Sequence, residues 1–175
     1  MDGKKIDMTA RAERQVTETQ GTVRQVTVPA AARAHSTLDH IAYDDAFLVE
    51  TGQAQDRTAE QWARTILEDA PEKTRNGLLK GWATLGLRLD STRSDRFVLG
   101  WEVRRSTPDL VLLGASGRRG LSGELLFERQ PGTLLFATFV QLENRLARGL
   151  WSVIASRHVQ VVRYLLERAS GQEQP

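Results

Sequence analysis

The sequence predicts an α+β domain: an antiparallel sheet covered by one long C-terminal helix. Three observations carry that prediction. Residues 144–169 hold no proline and a single glycine, Gly149, and their apolar side chains recur at helical spacing: Leu146, Leu150, Ile154, Val161 and Leu165. Trp151, Val162 and Leu166 widen that stripe beyond what a surface helix needs. Residues 97–142 change to a period of two, broken by turn residues. Between an early apolar run and this block lie two short helical patterns. A helix of about 25 residues crosses a whole small domain at 1.5 Å per residue, so the long helix is expected to lie over the sheet.

Taken in order, residues 1–33 are polar, rich in Thr, Gln, Arg and Glu, and are expected to form a flexible, dispensable arm. Within it, residues 22–28 alternate weakly through Val23, Val26 and Val28, a faint strand signal. The domain is expected to span 34–170, leaving 171–175 as a disordered tail. Ala46, Phe47, Leu48 and Val49, bounded by Asp44-Asp45 and Thr51-Gly52, read as a strand buried on both faces. Thr58 with Gln61 three residues on has the pattern of a capping box, and Trp62, Ile66 and Leu67 supply that helix's apolar face up to Pro71. A second helix over 72–85 carries Leu78, Leu79, Trp82 and Leu85, with Gly86 as its cap. Phe97, Leu99, Trp101 and Val103 read as one half-buried strand, and Leu110–Leu113 as a short apolar one. Leu121, Gly123, Leu125 and Phe127 alternate again. Pro131-Gly132 suits a type II turn into a long last strand, 133–142. Asn144 is the expected N-cap of the long helix.

Composition narrows the functional classes. One domain is the expectation for 175 residues, 40% apolar and 26% charged. Net charge is +2 and the arginines are scattered, so no basic stripe marks a nucleic-acid surface. Without cysteine there is no disulfide, thiol catalysis or cysteine metal site. No apolar run approaches the ~20 residues of a membrane span. The expected setting is cytoplasmic.

Several motifs carry less chemistry than they suggest. Leu110–Leu113 followed by Gly114, Gly117 and Gly120 imitates a strand entering a dinucleotide loop, but the residues beyond alternate as a strand where a helix must receive the pyrophosphate. No cofactor is expected. His35, His40 and His158 lack metal-ligand spacing, so no metal is expected either. His40 with Asp44 and Asp45 is a candidate acid–base cluster. His158 falls on the edge of the long helix's apolar face, the place of a core histidine or of a polar handle in a pocket. Glu102, Glu124 and Glu128 sit at outward phases of their strands, which argues against paired catalytic carboxylates.

The element order resembles the helix-grip fold of the START-like (SRPBCC-type) superfamily, which includes pollen allergens, lipid-transfer domains and polyketide cyclases. More narrowly, Ala46-Phe47-Leu48-Val49, Glu60-Gln61-Trp62-Ala63 and Arg105-Ser106-Thr107-Pro108-Asp109 are similar to a chiefly actinobacterial family with no catalytic signature to carry over. The resemblance covers 34–169. It implies a curved antiparallel sheet gripping the long helix around an apolar cavity. The expected function is binding of an apolar or amphipathic small molecule, lipid- or polyketide-like, with Trp101, Phe127, Phe139, Trp151, Ile154 and His158 as wall residues. Two alternatives stand beside it. One is a cyclase- or hydrolase-type enzyme using His158 or the His40/Asp44 pair. The other is a structural or partner-binding protein with a filled core. A monomer or homodimer is expected.

Overall fold

The computed structural model describes residues 23–52, 56–90 and 93–171. In chain order these form β1 (Val23–Val26), α1 (Ala30–Arg33), β2 (Tyr43–Glu50), α2 (Ala59–Leu67), α3 (Glu72–Thr84), β3 (Arg93–Ser94), β4 (Phe97–Val98), β5 (Trp101–Ser106), β6 (Leu110–Ser116), β7 (Leu121–Gln130), β8 (Thr133–Leu142) and α4 (Arg145–Gly171). The strands pair antiparallel in one sheet of spatial order β1-β2-β8-β7-β6-β5-β4-β3. The α+β class and the long C-terminal helix are as the sequence predicts.

Local chemistry explains most boundaries. Thr58 accepts the Gln61 N–H while the Gln61 side chain accepts from the Thr58 backbone, the reciprocal cap at the start of α2. Asn144 Oδ1 accepts from Ala147 N at 2.8 Å and caps α4. Gly132, at φ 73°, closes the β7–β8 turn after Pro131. The expected single strand over 97–103 is instead a tight hairpin. Leu99 and Gly100 both have positive φ (46° and 89°), and Val98 pairs with Trp101 across them. Two positive φ values match the twist of a two-residue hairpin turn. Alternation had hidden it, because Leu99 keeps the apolar rhythm.

The sheet is apolar on both faces, and each face has its own cover. Phe47, Leu125, Phe127, Leu134 and Phe136 face Trp62 and Ile66 of α2 and Trp151, Leu165 and Leu166 of α4. On the opposite face Ala46, Leu112, Leu126, Leu135, Ala137 and Phe139 lie under Ala32, Val28, Leu38 and Ile41. The second cover corrects the expected arm. Residues 23–33 form β1, paired with β2 from Val23↔Val49 to Val26↔Ala46, and α1, whose Ala32 is fully buried. Residues 1–22 of that arm, and 172–175 of the expected tail, lie outside the described residues. Leu146 is a further correction: it is 68% exposed, and Ala147, Trp151, Val162, Leu165, Leu166 and Ala169 form the buried stripe of α4.

Glu124, expected at an outward phase of its strand, does point away from α4 but is completely buried. The 34–42 segment closes over it. Ser36 Oγ, Thr37 Oγ1 and Thr37 N donate to its carboxylate, and Arg104 approaches at 2.7 Å.

The glycine loop serves packing. Gly114 lies beneath the Arg104 side chain, and Gly120 has φ 75°. A Cβ at Gly117 would overlap the backbone carbonyl oxygen of Leu121, which has no freedom to withdraw. Gly117→Ala is therefore expected to cost about 1–3 kcal/mol through forced backbone movement. Urea unfolding measures it; an unchanged midpoint would mean that the 116–121 turn opens freely.

Candidate functional site

The polar cluster between sheet and long helix begins with strand parity. In β2, Tyr43, Asp45, Phe47 and Val49 alternate onto the face toward α4, and Asp45 stands beside Thr138 of β8. On α4, Trp151 and His158 are seven residues apart, two helical turns, and so share a face. His158 Nε2 lies 3.2 Å from Asp45 Oδ2 and 3.2 Å from Thr138 Oγ1. Tyr43 donates its hydroxyl to the same Asp45 oxygen at 2.7 Å. Trp151 packs edge-on to Tyr43 (5.0 Å between centroids) and tilted against His158 (5.3 Å). The Asp45 side chain is 2% exposed and that of His158 17%.

The electrostatics follow from this burial. Burial pushes the Asp45 carboxyl up, but the hydrogen bond and charge of His158, with the bonds from Tyr43 and Thr138, outweigh it and hold the group below its ordinary value. Tyr43 moves the other way. Burial first, then its bond to Asp45 and the charges of Asp45 and Asp44, raise the phenol well above its usual range, so it stays a neutral donor. A carboxylate facing Nε2 favours a hydrogen on that nitrogen, and in the neutral ring Nδ1 is then the acceptor. Among the described residues Nδ1 has no hydrogen-bond partner.

A lowered carboxyl gives a signed prediction. Its stabilisation is present above the ordinary value of 3.8 and is lost as pH falls through the still lower folded value. The stability difference between wild type and Asp45→Asn should therefore not shrink from pH 7 down to about 4 and should fall only below. Urea midpoints across that range check it; a difference that shrinks between pH 7 and 5 would show that Asp45 is not held ionised.

Beside His158 lies a cavity of about 40 Å³, lined otherwise by apolar side chains that include Ile66, Leu78, Trp82, Phe136 and Val162. Of the six expected wall residues, His158 alone borders it. Trp101, Phe127 and Trp151 are buried in the same core and Ile154 is half-buried against it. Phe139 is misplaced by the sequence reading: it belongs to the opposite face, under Ala32. The expected His40/Asp44 pair also does not form. Asp44 pairs with Arg33 at 2.9 Å, and His40 is exposed near the Leu142 carbonyl oxygen. Sequence reasoning missed Tyr43 and Thr138, and placed Asp45 with His40 and Asp44 where the structure sets it against His158. Parity counted from Phe47 was the available signal for Asp45 and Tyr43.

A second groove, about 260 Å³, opens on the other side of the β4–β6 region, where Arg88, Asp90, Glu102 and Arg104 mix both signs of charge. Its rim offers no single ligand chemistry. Among the described residues no group of three or more His, Asp or Glu side chains could hold a metal ion, and no helix is long and apolar enough to cross a membrane. Compared with protein-family models, curated proteins and solved structures, the chain finds no match in any of the three.

Proposed function

We propose that this chain binds a small, mostly apolar molecule carrying one hydrogen-bonding group, held between the sheet, α3 and α4 in a START-like helix-grip arrangement. The observation that carries this reading is the buried Tyr43–Asp45–His158 hydrogen-bonded chain, which ends at the wall of an otherwise apolar cavity. Ligand sites combine apolar walls with a few placed polar groups in this way. The size of the cavity limits the occupant: a dry cavity that admits benzene measures about 150 Å³, well above 40 Å³. A lipid- or polyketide-sized molecule therefore requires α3 to move. No residue of α3 is buried, and its Leu78, Leu79 and Trp82 only lean on the core.

A second reading, an acid–base enzyme, is favoured by one feature: His158 Nε2 is held by a buried carboxylate while Nδ1 stays available, the orientation a general base needs.

Fluorescence of the neutral probe N-phenyl-1-naphthylamine tests the binding reading. Wild type should enhance it saturably, and Leu78→Trp, which fills the cavity, should abolish the enhancement while keeping its melting temperature. No enhancement by wild type, or equal enhancement by the filled variant, rejects this site. Turnover of an added substrate that is lost in His158→Gln with probe binding intact would favour the enzyme.

A further inference from the structure

Arginines that are scattered in the sequence gather at one end of the domain. The 117–120 turn, which carries Arg118 and Arg119, lies against the start of α4. Gly120 O accepts from Glu143 N there, and Asn144 Nδ2 donates to Arg119 O. Arg145 and Arg148 stand at the start of the same helix, whose first turn holds no acid and whose dipole disfavours positive charge at that end. From 144 to 166 the chain has four arginines and no acid. Arg118, Arg145, Arg148 and Arg157 are exposed, and among the described residues none of them has an acidic partner.

The large apolar side chains exposed among the described residues all belong to α4: Leu146 at 68%, Val153 at 78% and Tyr164 at 49%. Their spacings, 7 and 11 residues, are close to whole numbers of helical turns, so they form one line, on the side away from the buried stripe. We propose that this outer face of α4, with the 117–120 turn, docks on an anionic lipid bilayer. The arginines meet lipid phosphates, and Leu146 and Val153 enter the acyl boundary, the combination that interfacial helices use. A second copy of the chain fits less well. A two-fold contact through this face sets arginine against arginine, with only Glu143 and Glu167 nearby to offset them. Nucleic acid would engage the arginines, but its phosphate backbone gives Leu146 and Val153 no apolar layer to enter. Such docking does not depend on the cavity beside His158.

Co-sedimentation with vesicles tests the docking face. The protein should bind vesicles of mixed phosphatidylcholine and phosphatidylglycerol but not of pure phosphatidylcholine, and rising salt should weaken the binding. Arg145→Gln with Arg148→Gln should lower the affinity about 25-fold, the product of two arginines near an anionic surface. Leu146→Ser with Val153→Ser should lower it about tenfold at an unchanged melting temperature. Arg24→Gln with Arg105→Gln removes the same charge from the opposite side of the sheet, where Arg24 lies across from Leu48 and Arg105 meets His35, and should leave binding nearly unchanged. No binding to the anionic vesicles, equal binding to pure phosphatidylcholine, or an equal loss in the Arg24/Arg105 pair overturns the proposal. So does vesicle binding that both serines leave intact, which would reduce the contact to unspecific charge attraction. A dimer broken by the two serines, or an oligonucleotide retained despite them, each without vesicle binding, gives the face to that partner instead.

Discussion

Glu124→Ala is expected to remove about 3–5 kcal/mol of folding stability, the cost of deleting one partner from a buried ion pair. That is a large share of the roughly 5–15 kcal/mol that holds a domain folded. The carboxylate is wholly buried, and donors from Ser36, Thr37 and Arg104 converge on it. Without it the Thr37 N–H loses its acceptor and Arg104 its counter-charge. Arg104 is 23% exposed and partly rehydrates, which draws the cost toward the lower end. The segment it anchors brings Leu38 and Ile41 onto an apolar face, so its loosening should also speed tryptic cleavage after Arg33 in the native protein. A paired replacement, Glu124→Leu with Arg104→Met, should cost much less than Glu124→Ala, because no lone charge stays buried. Urea unfolding gives all three values. A loss under about 1 kcal/mol for Glu124→Ala, no more than a typical net hydrogen bond contributes, would show that residues 34–42 are held by their apolar contacts alone.

That second cover explains why the sequence revealed one side of the domain better than the other. The side under α4 was legible because its signals are local: the Thr58/Gln61 cap, the Pro131-Gly132 turn, Asn144, and the period-3.6 stripes that begin at the two helix caps. The opposite side depends on polar, short-range-silent residues. Ser36 and Thr37 resemble any loop until Glu124, 87 positions away from Thr37, is placed beneath them. Glu124 itself was read only as facing outward, because strand parity tells which face a side chain takes and says nothing of what lies over it. Phe139 failed for a related reason. β8 is almost wholly apolar on both faces, with Leu134, Leu135, Phe136 and Ala137 in succession, so its pattern contains no alternation from which parity can be read. The site divides the same way. His158 was legible as a polar residue on an apolar helix face. Its partner Asp45 was read as a strand boundary because β2 begins earlier, at Tyr43. The proposed binding function is the reading that the dye puts to the test.

Trp62→Ala is expected to cost about 3–5 kcal/mol, whereas Leu79→Ala should cost about 1 kcal/mol or less, and the contrast tests whether α3 can move. The two helices are consecutive but differently anchored. Trp62 is 1% exposed, one of five buried residues in nine-residue α2, and packs in the main core. The polar side of α2 is tied as well: Arg64 bonds Glu60 and Glu68 and reaches the Phe97 carbonyl oxygen, while Glu68 accepts from Leu99 N. Removing the indole leaves a large cavity in the main core. The thirteen residues of α3 include none that is buried. It is held chiefly near its ends, where Arg75 donates to the Glu68 and Ala70 carbonyl oxygens and Arg119 to that of Thr84. A helix tethered at its ends with half-exposed leucines belongs to the low-stability end of a domain. Amide hydrogen exchange should therefore find α3 opening well before α2, and slowing when a ligand fills the cavity that Leu78 and Trp82 help to line. If α3 exchanges as slowly as α2 and Leu79→Ala costs 2 kcal/mol or more, the loss expected of a core leucine, then α3 is core. The cavity could not enlarge, and only a molecule of two or three heavy atoms would fit beside His158.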